Sequence, residues 1–204
     1  MLNETLGYHG VFHADIKLVD EPGSFFGNAV FSKWPIIKSK VVFLKTFRQI
    51  TPFEFNSNVG NIWAQIPRHM LDVTVDCGDL KIHAISVHGR RVAPPVDDEE
   101  NIRQAKVIAD YLKSLKREPF VMGGDFNMPL GSQVVKIVSE VSNNLMEDVG
   151  VSQTLNPEVH ELGKKGYLVD FVFTSSHFKK VSVDVPQITV SDHLPVIAEL
   201  ELNN

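Results

Sequence analysis

Apolar residues along the chain fall into short runs rich in β-branched and aromatic side chains: YHGVFHADI (8–16), GNAVFS (27–32), SKVVFLKTF (39–47), HMLDVTVD (69–76), LKIHAISVH (80–88), PFVMGGD (119–125), YLVDFVFTS (167–175), KVSVDV (180–185) and LPVIAELEL (194–202). Many are bounded by Gly, Pro, Asn or Asp, and runs of this length and type between such breakers predict strands. The two alternating arms of HMLDVTVDCGDLKIHAISVH meet at Cys77-Gly78-Asp79, which predicts a hairpin. A different period governs NIRQAKVIADYLKSLK (101–116), where Ile102, Ala105, Ile108, Ala109, Leu112 and Leu115 recur at helical spacing. Asp97, Asp98, Glu99 and Glu100 precede that run, where negative charge suits the positive end of a helix. A second helix is expected over 132–141.

Many strands and two helices suggest helices packed outside stacked sheets, an α/β or α+β arrangement. The length of 204 residues and a hydrophobic content of 43% suit a single domain over 1–204 with a sizeable core. Lys and Arg number 20 against 25 Asp and Glu, a net charge of -5, so the chain lacks the overall basic field of a protein that holds nucleic acid mainly by phosphate contacts. Cys77 is the only cysteine, which excludes an intramolecular disulfide and multi-cysteine metal sites. No apolar run reaches the roughly 18 residues of a membrane span, and the first residues do not resemble a signal peptide. A cytoplasmic location is the default expectation.

Four polar clusters stand where strands end. AISVHGR delivers His88, VMGGDFN delivers Asp125 and Asn127, YLVDFVF places Asp170 inside a strand, and VSDHLPV sets Asp192 and His193 before the last strand. Each has a structural reading as turn or capping chemistry. Asp170 resists it, because an aspartate between Val169 and Phe171 carries a desolvation cost unless paired, and a histidine is a natural partner.

Together, FGNAVFSKWPI, IPRHMLDVTV, IHAISVHGR, VMGGDFNMP, YLVDFVF and VSDHLPV, in that order, resemble the endonuclease/exonuclease/phosphatase family of deoxyribonuclease I-like, metal-dependent phosphoesterases. The resemblance spans nearly the whole chain. It implies a four-layer sandwich of two packed, mostly antiparallel sheets flanked by helices, with the site in loops at one end. By the same resemblance Asp125 positions the attacking water and binds metal, Asn127 donates to a phosphate oxygen, and Asp192 is a metal carboxylate. His193 stands beside the phosphate, oriented by Asp170, and His88 is the second histidine there. Asn28 and Arg68 lie within matching motifs and are candidates for substrate binding. Arg90 and Arg91 read as surface charge or as contacts to an extended substrate.

These roles make physical sense for water attacking an anionic phosphate ester: a divalent cation and neutral or cationic donors offset the developing charge. Mg²⁺ prefers a few oxygen ligands and retained waters, so Mg²⁺ or Mn²⁺ is the implied cofactor. The expected activity is hydrolysis of a phosphodiester or phosphomonoester, with nucleic acid or a phospholipid headgroup among the substrates. Specificity would come from LKTFRQITPFEFNSN and GRRVAPPVDDEEN.

The family's opening strands, the first ending in Asn and the second in Gln-Glu with its metal-binding glutamate, have no counterpart here. LNETLGYHGVF resembles the segment that comes after that glutamate in the family. The alternative reading is therefore an N-terminally truncated, catalytically impaired scaffold, a binding or assembly module or a fragment, with a homo-oligomer covering the exposed sheet.

Overall fold

The computed structural model describes residues 5–17, 25–44, 51–57, 62–115 and 117–203. Strands β1 (His9–Lys17) and β2 (Phe25–Ser32) form one antiparallel pair. The central sheet has six strands: β3 (Ile36–Phe43), β4 (His69–Asp76), β5 (Lys81–His88), β6 (Phe120–Asp125), β7 (Asn143–Asn144) and β8 (Asp170–Thr174). Their spatial order is β3-β4-β5-β6-β8-β7, antiparallel except for the parallel β5–β6 neighbours. A last antiparallel pair joins β9 (Phe178–Asp184) to β10 (Ile197–Leu202). The helices are α1 (Pro52–Ser57), α2 (Glu99–Ser114) and α3 (Gln133–Ser139).

Strand alternation sorts the two faces of the central sheet. Leu71, Val73 and Val75 point to one side, where Val11 and Val30 of the β1–β2 pair cover them. Met70, Ile85, Val87 and Met122 point to the other and meet Ala105, Ile108 and Leu112 of α2 and Val134, Val135 and Val138 of α3. Helices on one face and a second sheet on the other make the layered sandwich that the resemblance implies. Among the described residues no helix is long and apolar enough to cross a membrane.

The expected hairpin is β4–β5, and the expected 101–116 helix is α2. Asp98 caps α2, its carboxylate accepting from Asn101 N at 2.8 Å, so the acidic run does sit at the helix start. Asp97 does something the sequence did not suggest: it accepts from Gln133 N (2.9 Å) and Val134 N (3.3 Å), capping α3. The helix expected over 132–141 is shorter, with Ser132 as its cap. Of the two loops named for specificity, 45–50 and 58 lie outside the described residues.

Asp170 belongs to a strand as expected, but as the first residue of β8, half-buried at the sheet's end rather than enclosed along the strand. Leu168 and Val169 before it are buried and precede β8, with the Val169 carbonyl accepting from Phe126 N at 2.9 Å, so an apolar flank extends beyond the strand itself.

Candidate active site

The parallel register of β5 and β6 sets His88 opposite Asp125, and the antiparallel register of β6 and β8 sets Asp125 opposite Asp170. Three adjacent strands thus deliver three polar side chains in one row at a single sheet edge. Gly124 permits the close approach: its φ is +152°, and a Cβ there would stand 1.8 Å from the Val87 carbonyl oxygen. Phe126, 2% exposed, turns back into the core against Phe171 and Phe173, with ring centroids 5.7 and 5.2 Å away. The Asp125 backbone is anchored on both sides.

Two loops complete the site. After β6, Asn127 adopts a left-handed φ of 54°, a conformation asparagine tolerates. Its backbone N–H donates to Asp125 Oδ1 at 2.6 Å, which leaves Asp125 Oδ2 for the cavity, and its Nδ2 donates to the Gly89 carbonyl at 3.2 Å. The second loop carries Asp192 and His193. His193 shares an isolated bridge with Leu155, and Leu194 N donates to the Thr154 carbonyl at 2.7 Å. Thr154 is fully buried, and its hydroxyl accepts from Val169 N and Asp170 N at 3.0 and 3.1 Å. One threonine therefore ties the two ends of the His193–Asp170 pair to a common support.

These elements enclose a cavity of about 310 Å³ lined by His88, Asp125, Asn127, Asp170, Asp192 and His193, with Arg68, Arg91, His160 and Phe26 completing the wall. His193 Nδ1 lies 2.8 Å from Asp170 Oδ2, and its Nε2 is 4.0 Å from Asp125 Oδ2. Burial opposes protonation of His193, but the Asp170 hydrogen bond and charge raise its pKa to about 9. His88 behaves oppositely: burial, reinforced by Arg68 and His193, holds it well below the usual imidazole value. Its Nε2 is 3.6 Å from Asp125 Oδ2. One imidazole is thus charged at neutral pH and the other neutral.

Arg68 is fully buried, with its guanidinium 5.5 Å from the Phe26 ring and Nη1 4.0 Å from Asp15. None of its three guanidinium nitrogens has a hydrogen-bond partner among the described residues. Burial lowers its pKa to about 10, so it remains cationic at neutral pH. A buried cation whose guanidinium makes no hydrogen bond among the described residues, with Asp15 only at the edge of ion-pair distance, leaves donors on the cavity wall that suit an anion. Asn28 is not brought there: its Nδ2 donates to the His69 carbonyl at 2.8 Å, joining β2 to β4. Arg90 turns inward to the Ala64 carbonyl, Asp98 and Asn101, whereas Arg91 lines the cavity and pairs with Glu161.

The donors suit a divalent cation. Asp125, Asp170 and His193 bring ligand atoms within 4.8 Å of one another, as do His160, Asp192 and His193. Burial, then the neighbouring Asp170 charge, pushes the Asp125 carboxyl up. A cation among these carboxylates relieves that repulsion, and an oxygen-dominated set favours a hard ion.

The model of the endonuclease/exonuclease/phosphatase family matches residues 1–193. The chain belongs to this family. Its fold is that of a phosphoesterase family whose members hydrolyse phosphate esters and are generally dependent on divalent metals. Among solved structures it is similar to the family protein of Bacteroides vulgatus (TM-score 0.75, 17% identity, covering 99% of this chain and 79% of that one). It is also similar to a mannosyl-6-phosphatase of Bacteroides thetaiotaomicron (0.73, 20%, covering 98% and 80%). A third is the human nocturnin catalytic domain with bound sulfate (0.70, 16%, covering 99% and 75%). A search of the curated proteins finds no significant sequence match.

His160 was not singled out from the sequence. It stands alone in NPEVHEL, in a stretch without strand or helix period, and only tertiary contacts bring it to the cavity.

Proposed function

We propose that the protein hydrolyses phosphate esters by direct attack of water, with Mg²⁺ or Mn²⁺ as cofactor held by Asp125 and Asp192. The observation that carries this reading is the shared cavity, in which cationic and neutral donors (Arg68, His193, His88, Asn127) face carboxylates (Asp125, Asp170, Asp192) across a space of about 310 Å³. A cation held by these carboxylates would offset phosphoryl charge and lower the pKa of water bound to it.

The chain's own residues supply the rest. Arg68 and Asn127 orient the phosphoryl oxygens; one Nδ2 hydrogen of Asn127 is engaged by Gly89 and the other is available. Asp125 Oδ2 accepts a hydrogen bond from the attacking water, and its raised proton affinity suits it to take the proton. His193, locked through Nδ1 to Asp170, presents Nε2–H to the phosphoryl oxygen and assists proton transfer. His88, neutral, adds hydrogen bonding without further charge. Asn28 has no place in this scheme. The sulfate held by the nocturnin domain is an anion of phosphate's shape, in keeping with the reading.

The test is hydrolysis of p-nitrophenyl phosphate, bis-p-nitrophenyl phosphate, plasmid DNA and phosphoinositides with Mg²⁺ or Mn²⁺. Metal-stimulated turnover of at least one class is expected. No turnover of any would sink the proposal.

A further inference from the structure

We infer that His160 is a substrate-binding residue that donates an uncharged hydrogen bond from Nε2 to an oxygen of the bound phosphoryl group. This rests on the phosphoester reading above and adds to it a residue outside the family motifs.

The first observation is position. His160 lines the cavity with Asp192, His193 and Arg91, and its ring meets that of His193 edge-on, with centroids 5.4 Å apart and planes at 89°. The second is tautomer. The Leu162 backbone N–H donates to His160 Nδ1 at 3.0 Å, so Nδ1 is an acceptor and the ring's proton resides on Nε2. No described residue accepts from that Nε2–H.

The tautomer also decides between two uses of this residue. His160, Asp192 and His193 are close enough to suggest a metal triad. A ligating imidazole must offer a lone pair, however, and here the Nδ1 pair is engaged by Leu162 while Nε2 carries the proton. His193 differs, because its Nδ1 bond to Asp170 is compatible with a lone pair on Nε2 once the proton there is lost.

The third observation is preorganisation. His160 N donates to the Asn156 carbonyl at 3.0 Å, and Gly163 N donates back to the His160 carbonyl at 2.9 Å. Asn156 is itself tied to the Asp192 loop, its N–H to the Asp192 carbonyl at 2.9 Å and its Nδ2 to the Ser191 carbonyl at 3.0 Å. The donor is therefore fixed relative to Asp192 and His193 before substrate arrives, the condition under which a hydrogen bond contributes most to an anion. A lysine at this position would pair with Asp192; a neutral imidazole leaves that carboxylate to the metal.

The experiment compares wild type, His160→Ala and His160→Gln by calorimetric titration with inorganic phosphate in the presence of Mg²⁺, and separately with Mn²⁺ alone. Loss of a hydrogen bond to a charged acceptor predicts roughly tenfold weaker phosphate binding in His160→Ala. His160→Gln, which retains an N–H donor, should recover most of the affinity, and Mn²⁺ binding should be the same in all three. Phosphate affinity unchanged in His160→Ala would overturn the assignment, as would equal loss in both variants. A fall in Mn²⁺ affinity in His160→Ala would overturn it in favour of a metal ligand. Wild-type protein that neither binds phosphate nor turns over esters would instead remove the phosphoester reading itself.

Discussion

At the start of β5, His83 is clamped between two carboxylates; beyond the other end of the same strand, roughly 17 Å away at strand rise, His193 is held by one. His83 Nδ1 lies 2.8 Å from Asp72 and its Nε2 2.8 Å from Glu118, while Tyr111 donates to Asp72 at 2.6 Å. Lys40 lies over the Tyr111 ring at 4.7 Å. Every polar atom of the His83 ring is engaged, so the cluster has nothing left to offer a ligand. His193 uses Nδ1 on Asp170 and keeps Nε2 for the cavity. A closed network contributes to stability; an open one, supported from behind by Thr154, is available for chemistry.

The largest effect expected from this contrast is on rate. His193→Ala should lower kcat per folded molecule by about 10²- to 10⁴-fold, the range for loss of a proton-transfer group, and it also loses the stabilisation of the Asp170 pair. His83→Ala should leave kcat per folded molecule unchanged. Steady-state kinetics beside thermal melts on both variants checks the pair, and the contrast breaks if the two swap behaviours.

Next comes Asp170→Asn, which removes the hydrogen-bonded charge that raises His193 to about 9. The His193 ring should titrate at lower pH in an NMR experiment, and activity should fall by about tenfold or more as its orientation is lost. An unshifted titration would show that Asp170 does not set the proton affinity of His193.

Smaller, and on stability alone, is His83→Ala. It leaves Asp72 without its imidazole partner and should cost about 1–3 kcal/mol, which for a chain of this size lowers the melting temperature by about 2–12 °C. The pH dependence has a definite sign. Both histidines have raised folded-state values, so their stabilisation is complete below 6.5 and is lost as pH rises through the folded values. For His193 that loss is centred at about 9. Urea unfolding across this range should show wild type losing stability toward alkaline pH, with a shallower loss in His83→Ala. The smallest effect is expected from Asp97→Ala, which removes the acceptor of Gln133 N and Val134 N while Ser132 still caps α3, at a cost of about 0.5 kcal/mol, the low end of the capping range, with no change in kcat.

Much of this was legible in the sequence because it is local. Period two in residues 69–88 and helical spacing in 101–116 each follow from neighbouring side chains. Asp125, Asn127, Asp192 and His193 stand in compact motifs at strand ends, where side chains converge. The rest depended on distance in space. The Asp72–His83 link joins facing strands, but Tyr111 and Glu118 reach it only once α2 packs on the sheet. Asp97 caps a helix 36 residues onward. Arg90 and Arg91 are adjacent and alike in sequence, yet one turns inward and the other to the cavity, a choice made by Ala64, Asn101 and Glu161. His160 carries no period at all, and what distinguishes it is a single backbone N–H from Leu162.

On the proposed phosphoesterase reading, His193 and not His83 is the histidine that does chemistry. The most direct test is Mg²⁺- or Mn²⁺-dependent release of p-nitrophenol from bis-p-nitrophenyl phosphate and p-nitrophenyl phosphate by wild type, His193→Ala and His83→Ala at matched folded concentration. Metal-dependent turnover in wild type and His83→Ala with near-complete loss in His193→Ala is the predicted result. Turnover in His193→Ala equal to wild type would contradict it.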